Sequence, residues 1–347
     1  MDWRGKTNPN GVLAIRAAGG LRCLGDPLLQ PVGSLPVSKL MHAGLIALAI
    51  CVATPCLAQS IRANGEVVGP AASFDALMAG ARDATIVHLV GGAAEHSEAF
   101  HRARFEIIRR LHEEAGYGVL VMPVGIFEGW WVDRQLEESE LPETLAAWPL
   151  YRIWLESPGV GQLMEYLRKT RSSGGGVSLI GSLSRFHARG KELYAPHLLA
   201  SFESLGEADL PREIRDDVER LWAGRDRLSR ATPELRQEAL DLAPRVLALI
   251  DANRVQLDAA KGKERVEFER QFVLNMSTFV QLEQIRAGDL IVDQAEFSRR
   301  ESAVNLSWFL ETAFPQTKLI VWEGLGDTVN DLDVDVPVFR VDLSLEQ

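Results

Sequence analysis

Apolar positions along this chain fall into two patterns, short unbroken runs and stripes at helical spacing. The runs at Thr85–Val90, Val119–Met122, Val177–Ile180, Leu319–Trp322 and Val336–Val341 have strand length and many β-branched residues. Between them, Phe100, Ile107, Ile108, Leu111 and Ala115 share one face of a predicted helix. Leu235, Ala239, Leu242, Val246 and Leu249 share the face of another, opened by Thr232 as N-cap and Pro233 at its first position. A third stripe, Phe268, Phe272, Met276, Phe279 and Val280, either packs on a core or lines an apolar cleft. Ser172-Ser173-Gly174-Gly175-Gly176 marks a turn before the third strand.

Strands that alternate with helices predict an α/β fold: a mainly parallel central sheet with flanking helices. Residues 208–286, where Pro211 opens a charged helix, read as a helical insertion. In open sheets of this kind ligands bind beyond the carboxyl ends of the strands. The first predicted strand ends there on Gly91-Gly92, and Ala93-Ala94-Glu95-His96-Ser97 leads into the next helix.

Composition narrows the function classes. The chain has 347 residues, 46% of them hydrophobic, and a formal charge of -11. Five basic and two acidic side chains precede residue 59, so the acidic excess lies wholly in the remainder. An acidic body without a Lys/Arg stripe argues against nucleic acid as a partner.

Residues 1–40 have no clear period and read as a doubtful N-terminal extension. Met41 to Ala58 carries a short apolar core after Lys39 and a small residue at a plausible cleavage point, the pattern of a secretory signal peptide. The alternatives are a buried apolar helix or a membrane anchor, although the run is short for a span. The signal reading predicts a secreted or periplasmic domain over 70–347 with no stable membrane span after cleavage. Cys23, Cys51 and Cys56 all precede the cut, which leaves that domain without a thiol nucleophile or disulfide framework.

Four blocks carry a resemblance. Gly91, Phe100, Arg104, Gly116, Tyr117, Glu128 and Gly129 keep their spacing in the first two. Leu163-Met164-Glu165-Tyr166-Leu167-Arg168 is the third. The fourth is Ala303-Val304-Asn305-Leu306-Ser307-Trp308, with the strand Lys318-Leu319-Ile320-Val321-Trp322. Together they resemble the erythromycin esterase family over about residues 70–330. The resemblance implies an α/β fold with a helical insertion and an ester-hydrolysing pocket without a required metal or cofactor. It also implies a small-molecule ester or macrolide-like ligand and a role in the response to antibiotic.

The departures fall on the reactive positions. The family's loop Glu and His correspond to Gly92 and Glu95, and its strand-closing Glu to Pro123. Its later A-H-N-x-H corresponds to Glu323-Gly324-Leu325-Gly326-Asp327, and the Asp of its G-x-D to Leu183. A general base must be a titratable group within reach of water, and Gly and Pro supply none. The sequence therefore predicts impaired or lost hydrolysis with a retained cleft. The alternatives are an active hydrolase using a relocated base, His96 with Glu128 or Asp327, and a non-catalytic interaction module. Glu95, His96, Glu128 and Asp327 are the catalytic candidates. Glu95 and Glu98 also suit a helix first turn. Ligand-binding candidates are Arg104, Asn305 and Trp322 from the matched blocks, with Trp130 and Trp131 as adjacent aromatics. His101 and His112 return to one helix face, which is too little for a metal site.

Overall fold

The computed structural model describes residues 59–63, 66–68, 73–91, 97–138, 149–186, 190–202, 211–223, 228, 230–323, 328–332 and 336–345. The extension at 1–40 and the signal-like segment at 41–58 lie outside the described residues. Each apolar run forms a strand: β3 (Ile86–Val90), β4 (Tyr117–Gly125), β5 (Ser178–Leu183), β6 (Lys318–Glu323) and β7 (Val338–Leu345). They run parallel in the order β7-β3-β6-β4-β5. A hairpin of β1 (Gln59–Ala63) and β2 (Glu66–Val68) adds antiparallel to β7. Its strands are only five and three residues long, too short for an alternation to mark them. Seven strands among the described residues thus form one sheet. Pro123 is accommodated within β4 where the pairing with β5 shifts register, between Met122 and Gly125, because proline gives no ladder donor.

Alternate strand residues face opposite sides, and the core divides with them. Val87, Leu89, Leu120, Met122, Leu179, Ile320 and Trp322 pack against α1 (Ser73–Ala81), α2 (Glu98–Ala115) and α5 (Pro158–Ser172). Ile86, Val119, Val121, Ile180, Leu319 and Val321 share a second core with α6 (Gly190–Phe202), α7 (Arg212–Asp217), α8 (Pro233–Ala252), α9 (Arg254–Lys261), α10 (Lys263–Ala287) and α11 (Gln294–Trp308). The Phe268, Phe272, Met276, Phe279 stripe belongs to this second core. Helix ends follow local chemistry: Ser97 accepts from Phe100 N to cap α2, Gly116 closes α2 at φ 72, and Thr232 accepts from Leu235 N to cap α8.

The β5 edge is covered by α3 (Ile126–Glu138). Val132 and Leu136 of α3 reach one core, and Phe127 and Trp130 the other. Gly129 makes the approach possible, since a Cβ there would overlap the backbone of Ile180 and Gly181. One helical turn further, Asp133 accepts from the Leu179 amide and the Arg171 guanidinium. Burial pushes its carboxyl up to about 6 even with Arg171 against it. A pKa raised on folding adds stability below the unfolded value and loses it as pH rises through the folded one. The stability gap between the wild type and Asp133→Asn is therefore expected to shrink from pH 4 to pH 7, by about 1.4 kcal/mol per pKa unit. Urea unfolding at both pH values checks this, and a constant gap contradicts it.

Candidate functional site

Strands β3 and β6 are neighbours, with Val90 beside Glu323. The chain leaves both at the same point of the carboxyl edge. From there the route to β4 passes to one side and the route to β7 to the other, which is the switch point where such sheets hold ligands. Gly92, Glu95, His96, Gly324 and Asp327 belong to the two segments leaving this point and lie outside the described residues.

Two candidates meet here. Arg104 of α2 lays its guanidinium over the Trp322 ring at 4.6 Å and the Phe100 ring at 4.3 Å, and is only 1% exposed. A desolvated stack of this kind contributes about 2 kcal/mol. The rings continue from Trp322 to Trp154 at 5.8 Å and from Trp154 to Tyr151 at 4.9 Å, along α4 (Arg152–Leu155) and the residue before it. Sequence spacing could not pair Arg104 with Trp322, because their contact depends on the β3-β6 adjacency.

A polar chain missed from sequence lies beside them. The Ser157 hydroxyl donates to Glu98 Oε2 at 2.7 Å and stands 2.7 Å from His101 Nδ1. Because the hydroxyl proton goes to the carboxylate, Nδ1 must donate to Ser157 Oγ, which fixes the tautomer of a neutral His101. The Gly159 amide at the start of α5 also donates to Glu98 Oε2. Burial acts to raise the Glu98 carboxyl, and hydrogen bonds from Ser157, Arg102 and Gly159 outweigh it, holding the group below its ordinary value. The group locks α5 onto α2. Its available signal was Ser157-Pro158, the start of a helix.

The other candidates are dispersed. Glu128 is fully buried, and its carboxylate packs between Gly125 and Gly190, the first residue of α6. A carboxylate suits a helix N-terminus, and this one lies beside the first residue of α6. Asn305 of α11 donates to Ser182 O, Ser184 Oγ and Asn275 Oδ1, while its own Oδ1 accepts from Gln271 and Asn275. Trp130 is enclosed by Phe127, His197 and Phe272, with the Arg265 guanidinium 5.6 Å away. Trp131 is half-buried and touches both cores.

Two further imidazoles have separate duties. His112 bonds Tyr166 and the Gly175 carbonyl. His197 bonds Glu269, which also accepts from Ser201. Burial acts to raise the Glu269 carboxyl, but His197, Ser201 and Lys261 hold it below its usual range, while burial and that carboxylate push the Tyr194 phenol well up. Among the described residues no group of three His, Cys, Asp or Glu side chains could hold a metal ion. No described helix is long and apolar enough to cross a membrane.

No family profile and no curated protein matches the sequence. Solved structures share the fold. A Bacillus cereus protein is 17% identical with a TM-score of 0.57, over 74% of this chain and 61% of its own. A succinoglycan biosynthesis protein is 16% identical with a TM-score of 0.53, over 73% of this chain and 60% of its own. An erythromycin esterase mutant in its open conformation is 14% identical with a TM-score of 0.54, over 74% of this chain and 64% of its own. The chain thus spans less than two thirds of each, and the likeness establishes a shared α/β fold and a distant structural relationship.

Proposed function

We propose that this chain is a binding protein on an erythromycin-esterase-like scaffold. Its cleft lies at the carboxyl edge of β3 and β6 and takes a small-molecule ester or macrolide-like ligand, with the hydrolytic chemistry impaired or lost. The observation that carries the reading is the fate of Glu128, the one catalytic candidate among the described residues. It is fully buried beside Gly190 at the start of α6 and closed to bulk solvent. Pro123 offers no acid in β4, and Gly92 and Gly324 offer none in sequence. The Arg104–Trp322 stack supports a retained cleft wall. Export through residues 41–58, secretion or a periplasmic location, and a part in the response to antibiotic belong to the same proposal.

Isothermal titration of the full chain with erythromycin is expected to give saturable binding, weakened about tenfold in Arg104→Gln, which removes the stack that holds Trp322 in place at the end of β6. Heats equal to the dilution blank would remove the cleft.

A second reading, an active hydrolase, is favoured by the Glu98–Ser157–His101 chain. With its proton on Nδ1, a neutral His101 carries its basic lone pair on Nε2, close to the same edge. Turnover of p-nitrophenyl butyrate that disappears in His101→Asn would favour this reading over the first.

A further inference from the structure

Arg185 stands just beyond the end of β5, on the carboxyl edge, and is half-buried. Four other partly or fully buried arginines hold carboxylates: Arg109 holds Glu106, Arg171 holds Asp133, Arg236 holds Asp289 and Arg254 holds Asp258. Arg185 has no acidic partner among the described residues. Its hydrogen bond runs from Nη2 to the Tyr151 hydroxyl at 3.3 Å, and its Nε is buried without an acceptor. A buried donor left unsatisfied destabilises the fold, and such a group calls for an explanation. A guanidinium with its fork unfilled by protein acids suits a planar or tetrahedral oxyanion, which it binds through two parallel N–H bonds.

The surroundings set the direction of approach. On one side lies a cavity of about 10 Å³, lined by Ser184, Arg185, Thr278, Phe297, Glu301 and Ser302. It has room for a water at most. Its carboxylate, Glu301, accepts from Thr278, and repels an anion from that wall. On the other side is the Tyr151 hydroxyl, and Tyr151 leads through Trp154 to Trp322 and the Arg104 stack. A row of contacting rings, in which Trp154 and Trp322 are core residues, therefore links the Arg185 fork to the switch point of the sheet.

We propose that Arg185, with the Tyr151 hydroxyl beside it, anchors an oxyanion on the ligand of the carboxyl-edge cleft. The anchored group is a carboxylate or a phosphoryl group, and an apolar or aromatic part of the ligand lies against the half-buried Tyr151 ring. The inference rests on the cleft reading given above and narrows its ligand class.

Sodium benzoate and inorganic phosphate, titrated separately into the full chain at constant ionic strength, test it by the rise in Tm. Sodium chloride serves as the blank. The wild type is expected to show a saturable rise with at least one anion, and the anion that acts tells carboxylate from phosphoryl. Arg185→Gln weakens the effect tenfold or more, Arg185→Lys retains part of it, and Tyr151→Phe weakens it less. Circular dichroism of each variant separates lost binding from lost folding. Equal shifts in the wild type and a folded Arg185→Gln, or no shift beyond chloride with either anion, overturn the proposal. Erythromycin binding that survives in Arg185→Gln, while anion binding fails in the wild type, removes the anchor and leaves the cleft standing.

Discussion

Asn305→Leu is expected to lower the unfolding free energy by about 3–5 kcal/mol, the range in which large single-residue effects fall. The substitution keeps the number of side-chain heavy atoms and leaves no cavity. The loss comes from stranded partners. Ser182 O and Ser184 Oγ lose a donor, Gln271 loses its acceptor, and the mutual amide pair with Asn275 is broken. Each buried group left unsatisfied costs about 1–3 kcal/mol, partly recovered when Ser184 and Asn275 keep their own bond. Asn305→Asp keeps the shape but removes the donors, and is expected to cost as much. Urea unfolding gives the measure. A loss below 1 kcal/mol would mean that the network relaxes freely and that the Asn305 amide is available to a ligand.

Gly129→Ala pits two local effects of opposite sign against each other. In an isolated helix the change would stabilise α3 by about 1 kcal/mol, because alanine is the better helix former. Here the new methyl would overlap the Gly181 nitrogen and the Ile180 carbonyl carbon, both backbone atoms of the covered edge strand. No side chain can swing aside, so α3 must lift from β5, and Phe127, Trp130 and the Asp133 bonds lift with it. Overpacking of a core costs about 1–3 kcal/mol and at times more. With backbone on both sides we expect a net loss of at least about 3 kcal/mol. Stabilisation by Gly129→Ala would refute the close contact.

The fold was legible because strands buried on both faces read as unbroken apolar runs, as β3, β4, β5 and β6 do. The β1–β2 hairpin was not, since an edge pair of three to five residues shows no period. Within α10 the apolar stripe was visible, yet Gln271 and Asn275, each one position before Phe272 and Met276, carry the polar network to Asn305. Their spacing of four was a usable sign. The roles of Glu128 and Arg185 depend on what the fold brings beside them, and sequence order holds no trace of that. The Arg104–Trp322 stack was anticipated as two separate residues from the family resemblance, and only the strand order makes them one feature.

Hydrolysis itself gives the most direct measure of whether the water-activating chemistry has gone. Erythromycin and p-nitrophenyl butyrate, incubated with the full chain and followed by mass and absorbance, are predicted to stay intact at the rate of the protein-free blank. Turnover above that blank, lost on Glu95→Gln or His96→Asn in protein that still folds, would contradict the account.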